Sequence, residues 1–299
     1  KVTVVLDWTP NTNHSGIYLA EQNGEYASAG IDIDIVEPDA SGALTQLAAG
    51  NGDFAFSFSE QLLPARAQGA QVVSIAAVLN TNTSSLISPA DRKITRPREL
   101  AGHTYASCGL ELERPLIEAL VRCDGGDPSK VRFVDASTLV DYAVGFRTRR
   151  FDVAWVYDGW DGIRLGEIQR LPVNTIAFRD WLQCIPDWYT PVIATRQDLI
   201  DRNPNLIRAF LAATAKGYQR AQSDPAAAAA ALAAAAPESD RPLLGASARF
   251  LAPYLTGEAG RWGVQDPEVW EAFNAFLTSN TLPTPPSLNG AFTNEFLPR

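Results

Sequence analysis

Three cysteines (Cys108, Cys123 and Cys184) and two histidines (His14 and His103) are all the soft-metal and disulfide chemistry in this 299-residue chain. Three is odd, so a full disulfide framework cannot close within one chain, and there is no C-x-x-C. The histidines stand far apart and unpaired with cysteines, so no metal site or bound cofactor is expected. Positive charge is also short. Against 34 Asp plus Glu stand 25 Lys plus Arg, a net charge of −9, and no basic stripe offers a face to phosphates, which excludes a nucleic-acid partner. The longest uncharged apolar run, Ala226–Ala236, falls well short of the roughly 20 residues that span a bilayer. G-x-S-x-G, the P-loop, H-E-x-x-H and the dinucleotide G-x-G-x-x-G are all absent, which removes the short arguments for an enzyme.

What is present is an ordinary globular balance, 46% hydrophobic and 20% charged, long enough at roughly 150 residues per domain for about two domains. The chain opens on Lys1-Val2-Thr3-Val4-Val5, a strand rather than a signal peptide, so it is either cytosolic or the product of a removed targeting segment. Val2–Asp7 reads as a buried parallel strand and Ser15–Ala29 as a helix ending at Gly30. The alternating Ile31–Val36 is a less central strand. Helix at 42–50, strand at 54–58, helix at 61–68 and strand at 72–78 continue the alternation, as in a parallel sheet with right-handed crossovers. The polar, proline-flanked stretch 91–98 suits a connection, and a second α/β unit follows: strand at 102–106, helix at 112–123, strand at 131–134, helix at 139–146 and strand at 152–157. From Pro191 the pattern turns almost entirely helical. It includes a helix over 203–222 with Pro204 in its first turn, and an alanine-rich helix on an undemanding surface. The proline-rich 282–287 stays extended. The expected architecture is α/β with two lobes, 1–88 plus 192–299 and 89–191, two mostly parallel sheets, a hinge and a central cleft.

In such folds chemistry collects just after strands. Those loops carry Asp7-Trp8-Thr9-Pro10-Asn11-Thr12-Asn13-His14, Ser59-Glu60-Gln61, Ser107-Cys108-Gly109-Leu110-Glu111 and Tyr157-Asp158-Gly159-Trp160-Asp161, with Trp188-Tyr189 at the return crossing. Aromatic faces, carboxylates and few cations suit a flat neutral or cationic heterocycle, whose amino groups the carboxylates accept. An anion at the helix start after Gly109 is the competing option. Trp8, beside proline and polar residues, is read as a ligand face. Tyr157 and Trp160 serve either the site or lobe packing, whereas Trp155 and Trp181 read as packing. Asp161, Glu60 and Glu111 stand where helix starts favour acids in any case. Cys108 faces a ligand or is an inert thiol. His14 orders its loop, with no carboxylate or nucleophile at a telling spacing to make it a base.

The run Leu6-Asp7-Trp8-Thr9-Pro10-Asn11-Thr12-Asn13-His14, followed by Gly16-Ile17-Tyr18-Leu19-Ala20, resembles the opening of solute-binding proteins of bacterial ABC importers for thiamine pyrimidine precursors, the formylaminopyrimidine-binding type. Trp160-Asp161-Gly162-Ile163, Pro186-Asp187-Trp188-Tyr189-Thr190-Pro191-Val192 and Thr293-Asn294-Glu295-Phe296-Leu297 resemble further segments of that family. The resemblance implies a type II periplasmic-binding-protein-like fold and a protein that captures its ligand without breaking bonds. It also implies an ABC permease as partner and an extracytoplasmic location, as a monomer held at the membrane only by a lipid on a removed N-terminal cysteine. Carried over residue by residue, Trp8 would give one stacking face and Tyr157, Trp160 or Tyr189 the other. Asp161 would accept from the ring amine, an aspartate where the family has glutamate, and Asn11 and Ser59 would orient the ring. Glu60 and Cys108 complete the expected ligand-binding set. Relatives bind other heterocycles, riboflavin-like ligands included, and a sulfonate or other anion is a further alternative. The superfamily also holds the fungal enzyme that makes the thiamine pyrimidine from its own histidine and pyridoxal phosphate. The positions of that enzyme's lysine and histidine are Ser57 and Gln61 here, and one cysteine of its cluster remains, Cys184. Without an amine or an imidazole there, that chemistry is not expected.

Overall fold

The computed structural model describes residues 1–137, 141–256 and 260–299. Its strands are β1 Val2–Val5, β2 Ile33–Val36, β3 Phe54–Ser57, β4 Val72–Ala77, β5 Ser84–Pro89, β6 Thr104–Ser107, β7 Arg132–Asp135, β8 Val153–Tyr157, β9 Val173–Ala177 and β10 Val192–Arg196. Its first six α-helices are α1 Ser15–Gln22, α2 Glu25–Ser28, α3 Ala43–Ala48, α4 Ser59–Ala67, α5 Glu113–Cys123 and α6 Tyr142–Arg147. Five more follow: α7 Gln197–Arg202, α8 Pro204–Ser223, α9 Pro225–Ala235, α10 Arg241–Leu251 and α11 Pro267–Ser279. The chain forms two compact units, one of Lys1–Thr81, Trp188–Asn274 and Pro283–Arg299, the other of Asn82–Asp187 and Ala275–Leu282.

Each unit is built on a five-stranded sheet of the same design. The first has the order β2-β1-β3-β10-β4 and the second β7-β6-β8-β5-β9. In the first, β1 pairs in parallel with β2 and β3, while β10 runs antiparallel to both β3 and β4. In the second, β6 pairs in parallel with β7 and β8, while β5 runs antiparallel to both β8 and β9. Four strands of each sheet therefore point one way and one is reversed. Parallel strands need crossover helices, which is why helices alternate with them in sequence.

The reversed strands are where local pattern misled. Val192–Arg196 lies in the stretch that reads as helical, yet it is a strand buried between β3 and β4. Five apolar-leaning residues are too few for periodicity to separate strand from helix. Ser84–Pro89 pairs with β8 and β9 and so belongs to the second unit, whose main segment runs Asn82–Asp187 with Ala275–Leu282 joined to it. The helix expected over 15–29 is broken at Gly24, whose φ of 71° is left-handed. The first residues of the helix expected over 139–146 lie outside the described residues, and α6 begins at Tyr142.

The helices of the first unit pack as their sequences require. Asn203 caps α8 through its side chain, Pro204 occupies the first turn, and Ile207, Phe210, Leu211, Thr214 and Tyr218 form a buried stripe. α1 and α8 touch backbone to backbone: a Cβ on Gly217 would lie 1.9 Å from the Gly16 carbonyl, and one on Gly16 would strike the Tyr218 ring. The alanine-rich α9 is less of a bystander than expected. It buries Ala228, Ala231 and Leu232 against its neighbours, because small side chains permit close helix approach.

Candidate functional site

In the first unit the loop after β1 is held from four sides. His14 Nδ1 accepts the Asn11 backbone N–H at 3.1 Å, which leaves Nε2 to donate to Asp7 Oδ1 at 2.5 Å. The imidazole is fully buried, edge-on to Phe56 at 4.7 Å. Asn11 Oδ1 accepts from the Asn13 N–H and its Nδ2 donates to the Thr9 carbonyl, closing a capping box with His14. The Tyr218 hydroxyl donates to the Asn13 carbonyl at 2.6 Å, and Thr12 is hydrogen-bonded to Ser247. On this fastened loop Trp8 stands out, 51% exposed. A rigid indole that the core does not use is an aromatic platform.

Beside it, at the end of β3, Ser59 donates from its hydroxyl and its backbone N–H to the Tyr189 carbonyl at 2.9 and 3.1 Å. Glu60 follows, its carboxyl oxygens buried and neither completing a hydrogen bond. Burial pushes this carboxyl up to about 7, partly opposed by its own backbone N–H, the Trp188 indole and the Thr190 hydroxyl. Ser57 Oγ and Thr190 Oγ1 are likewise buried without a hydrogen-bond partner.

In the second unit the loop after β6 is organised by one carboxylate. Glu113, 1% exposed, accepts from the Tyr105 and Ser107 hydroxyls at 2.8 and 2.7 Å and from the backbone N–H groups of Cys108, Gly109 and Leu110 at 3.0–3.1 Å. The thiol of Cys108, a surface-exposed residue, also faces it at 3.3 Å, and desolvation with the neighbouring carboxylate pushes that thiol up to about 12. After β8 the chain winds into two π-helical turns, Asp158–Gly162 and Arg164–Ile168. Such turns are common where backbone geometry serves a site. Tyr157, Trp160 and Asp161 sit there half-buried. Burial and the nearby Asp141 push the Asp161 carboxyl up to about 6 against the pull of Arg164, which lies 3.8 Å away and 5.4 Å from the Trp160 ring centroid. Asp158 is different: buried, it is paired with Arg179 at 3.0 Å.

Residues 11–228 match the NMT1/THI5-like family. The chain belongs to that family. A formylaminopyrimidine-binding protein of Halalkalibacterium halodurans is 26% identical over 288 residues, covering 93% of this chain and 85% of the relative. A 4-amino-5-hydroxymethyl-2-methylpyrimidine phosphate synthase of Legionella pneumophila is 27% identical over 252 residues, covering 81% of this chain and 76% of the relative. Among solved structures, the ligand-binding component of an ABC-type import system from Staphylococcus aureus, with zinc bound, superposes with a TM-score of 0.75 at 14% identity, covering 99% of this chain and 98% of that one. The fold is thus the α/β, periplasmic-binding-protein-like one that the resemblance implies.

Within this family frame the structure sorts the expected residues. Trp8, Tyr157, Trp160 and Asp161 keep exposed surface at strand ends. Asn11 bonds its own loop through both polar side-chain atoms and so shapes the platform, with one of the two Nδ2 N–H donors given to the Thr9 carbonyl. Ser59 likewise bonds the chain leading into β10. Tyr189 is 4% exposed and its hydroxyl accepts the Asp266 N–H at 2.8 Å, so it braces the start of α11. His14 does order its loop, but a carboxylate partner exists after all, Asp7, seven residues back just after β1. Glu111 is exposed, and the acid that matters in that loop is Glu113, two residues on. Trp155 is core, packed on Phe178 at 5.2 Å. Cys123 and Cys184 form a disulfide that the odd cysteine count alone could not reveal, 61 residues apart with Cα atoms 5.6 Å apart. Among the described residues no group of His, Cys, Asp or Glu is arranged to hold a metal ion, and no helix is long and apolar enough to cross a membrane.

Proposed function

We propose that this chain is the solute-binding protein of an ABC importer, capturing a planar nitrogen heterocycle of the thiamine-pyrimidine-precursor type and releasing it unchanged to a membrane permease. The observation that carries the reading is Trp8, half exposed on a loop fixed by His14, Asn11 and Tyr218. The relatives' names supply the ligand class. In this reading Trp8 stacks on one face of the ring, Tyr157 or Trp160 is the candidate for a second stacking face, and Asp161 is the acceptor for the ring amine.

A stacked pair contributes roughly 0.5–1.5 kcal/mol beyond area burial, and each hydrogen bond in a dry site about 1 kcal/mol. Two stacks, three or four such bonds and the burial itself reach roughly −8 kcal/mol, a micromolar dissociation constant. Against the synthase alternative stand Ser57 and Gln61, which offer neither the amine for a Schiff base nor an imidazole. The Cys123–Cys184 disulfide supports a location outside the reducing cytosol, and a lipid anchor on a removed leader belongs to the same proposal. Titration with 4-amino-5-hydroxymethyl-2-methylpyrimidine, its formylamino analogue, riboflavin and taurine, read by tryptophan fluorescence, tests it. Quenching by the aminopyrimidines is expected. A response to riboflavin or taurine alone reassigns the ligand, and silence with all four refutes the heterocycle.

A further inference from the structure

Four buried acidic side chains among the described residues invite comparison. Asp152 pairs with Arg92 and accepts the Thr104 N–H, Asp158 pairs with Arg179, and Glu113 gathers two hydroxyls and three backbone N–H groups. Glu60 is as buried as these, yet neither of its oxygens completes a hydrogen bond, and only the Trp188 indole, the Thr190 hydroxyl and its own backbone N–H act on it. It is not alone in this. Ser57 at the end of β3 and Thr190 just before β10 also keep buried side-chain oxygens unsatisfied, and β3 and β10 are paired through Ser57 and Val192. These orphans gather at the C-terminal end of β3, the end of the sheet that also carries the Trp8 loop after the parallel β1. A fold leaves buried polar atoms unpaired at a cost of about 1–3 kcal/mol each, and a cluster of them at one strand end is a place where water, an ion or a ligand can complete the bonding.

We infer that Glu60 is a second recognition carboxyl, one that reads an amidine-type edge, an N–H donor next to a ring-nitrogen acceptor, on the bound heterocycle. A neutral carboxyl offers one O–H donor and one C=O acceptor side by side, the complement of that edge. An ionised carboxylate offers two acceptors and repels the ring-nitrogen lone pair. The groups acting on Glu60 are its own backbone N–H, the Trp188 indole and the Thr190 hydroxyl, with no charged side chain among the described residues. Nothing nearby holds it ionised, so the neutral form persists to about pH 7. The inference rests on the heterocycle reading above and adds a specificity: rings with the donor–acceptor edge are preferred to des-amino or N-blocked analogues, and preferred more strongly below pH 7 than above it.

The test is calorimetric titration of 4-amino-5-hydroxymethyl-2-methylpyrimidine into the wild type, Glu60→Gln and Glu60→Leu from pH 5.5 to 8.5, with thermal melts of the three unliganded proteins. Wild-type affinity should fall roughly tenfold as pH rises from 6 to 8, about 1.4 kcal/mol. Leucine should lose tenfold or more at pH 6. Glutamine, which also pairs a donor with an acceptor, should recover most of that loss and lack the component centred near pH 7, while any component near pH 6 from Asp161 persists. Because burial makes ionisation of this carboxyl costly to the folded state at pH 8, neither variant should melt below the wild type there. The inference is overturned if Glu60→Leu binds with wild-type affinity and pH profile, or if both variants melt well below the wild type. Wild-type protein that binds none of the aminopyrimidines removes the functional reading and this inference with it, an outcome distinct from wild-type binding that Glu60→Leu leaves intact.

Discussion

Trp8→Ala separates a ligand platform from a structural tryptophan. A tryptophan buries roughly 150–250 Å² when fully covered. With 51% of its surface exposed, on the order of 100 Å² is left to cover, and a ring stacked on one face takes about half of that. At about 25 cal/mol per Å² this contributes roughly 1 kcal/mol, and the stacking geometry adds about 0.5–1.5 kcal/mol. The substitution should therefore weaken binding by about 2 kcal/mol, roughly 30-fold. Stability should hardly move, because the loop is fastened by Asp7, Asn11, His14 and Tyr218 and not by the indole. Isothermal titration gives the affinity and differential scanning calorimetry the melting temperature. Binding within threefold of wild type, or a melting temperature lowered by more than about 5 °C, a shift that a loss of well over 1 kcal/mol would produce, refutes the platform.

Asp161→Asn should discriminate among ligands, with amino-substituted rings losing tenfold or more and des-amino analogues binding as before; equal losses for both contradict its role as acceptor. The same carboxyl carries a pH signature. Its folded value, about 6, lies above the ordinary 3.8, so ionisation costs the folded state free energy that accumulates as pH rises from about 4 through 6. With 23% of the side chain exposed that cost is discounted to about 1–2 kcal/mol, and Asp161→Asn should stabilise the protein at pH 7 but not at pH 4, measured by urea unfolding at the two values. Glu113→Ala should destabilise the second unit by about 3–5 kcal/mol, since three backbone N–H groups and two hydroxyls lose their acceptor together. The milder Glu113→Gln should speed iodoacetamide labelling of Cys108 at pH 8, and an unchanged labelling rate counts against the carboxylate as a cause of the raised thiol. Replacing both Cys123 and Cys184 with serine frees a loop of 61 residues and should cost up to about 4 kcal/mol of thermal stability.

The alternation of strand and helix was legible from Lys1 to Tyr157 because parallel strands impose it on the chain itself: each buried run must be followed by a crossover helix long enough to return. β2 was readable as an edge for the same local reason, its aspartates alternating with isoleucine. β5 and β10 were not readable, because a reversed strand reached by a long excursion leaves no mark nearby. Its partners, Val153–Tyr157 for β5 and Phe54–Ser57 for β10, lie more than 60 residues away. The disulfide is the same kind of long-range fact.

The site shows a subtler limit. Trp8 was legible because a large aromatic beside Pro10, Asn11 and Asn13 has no local means of burial. Glu60 and Glu113 were not distinguishable, since both are acids in the first turn of a helix, where the macrodipole favours them regardless of role. Their fates diverge only in three dimensions. Glu113 folds back under its own loop and meets five donors, whereas Glu60 turns into the end of the sheet and completes no hydrogen bond. The first arrangement is complete within the fold, and the second is the one that the inference above has a ligand complete. The unsatisfied acid at the end of β3 is therefore the stronger pointer to chemistry, although it is the satisfied one that holds more of the structure in place.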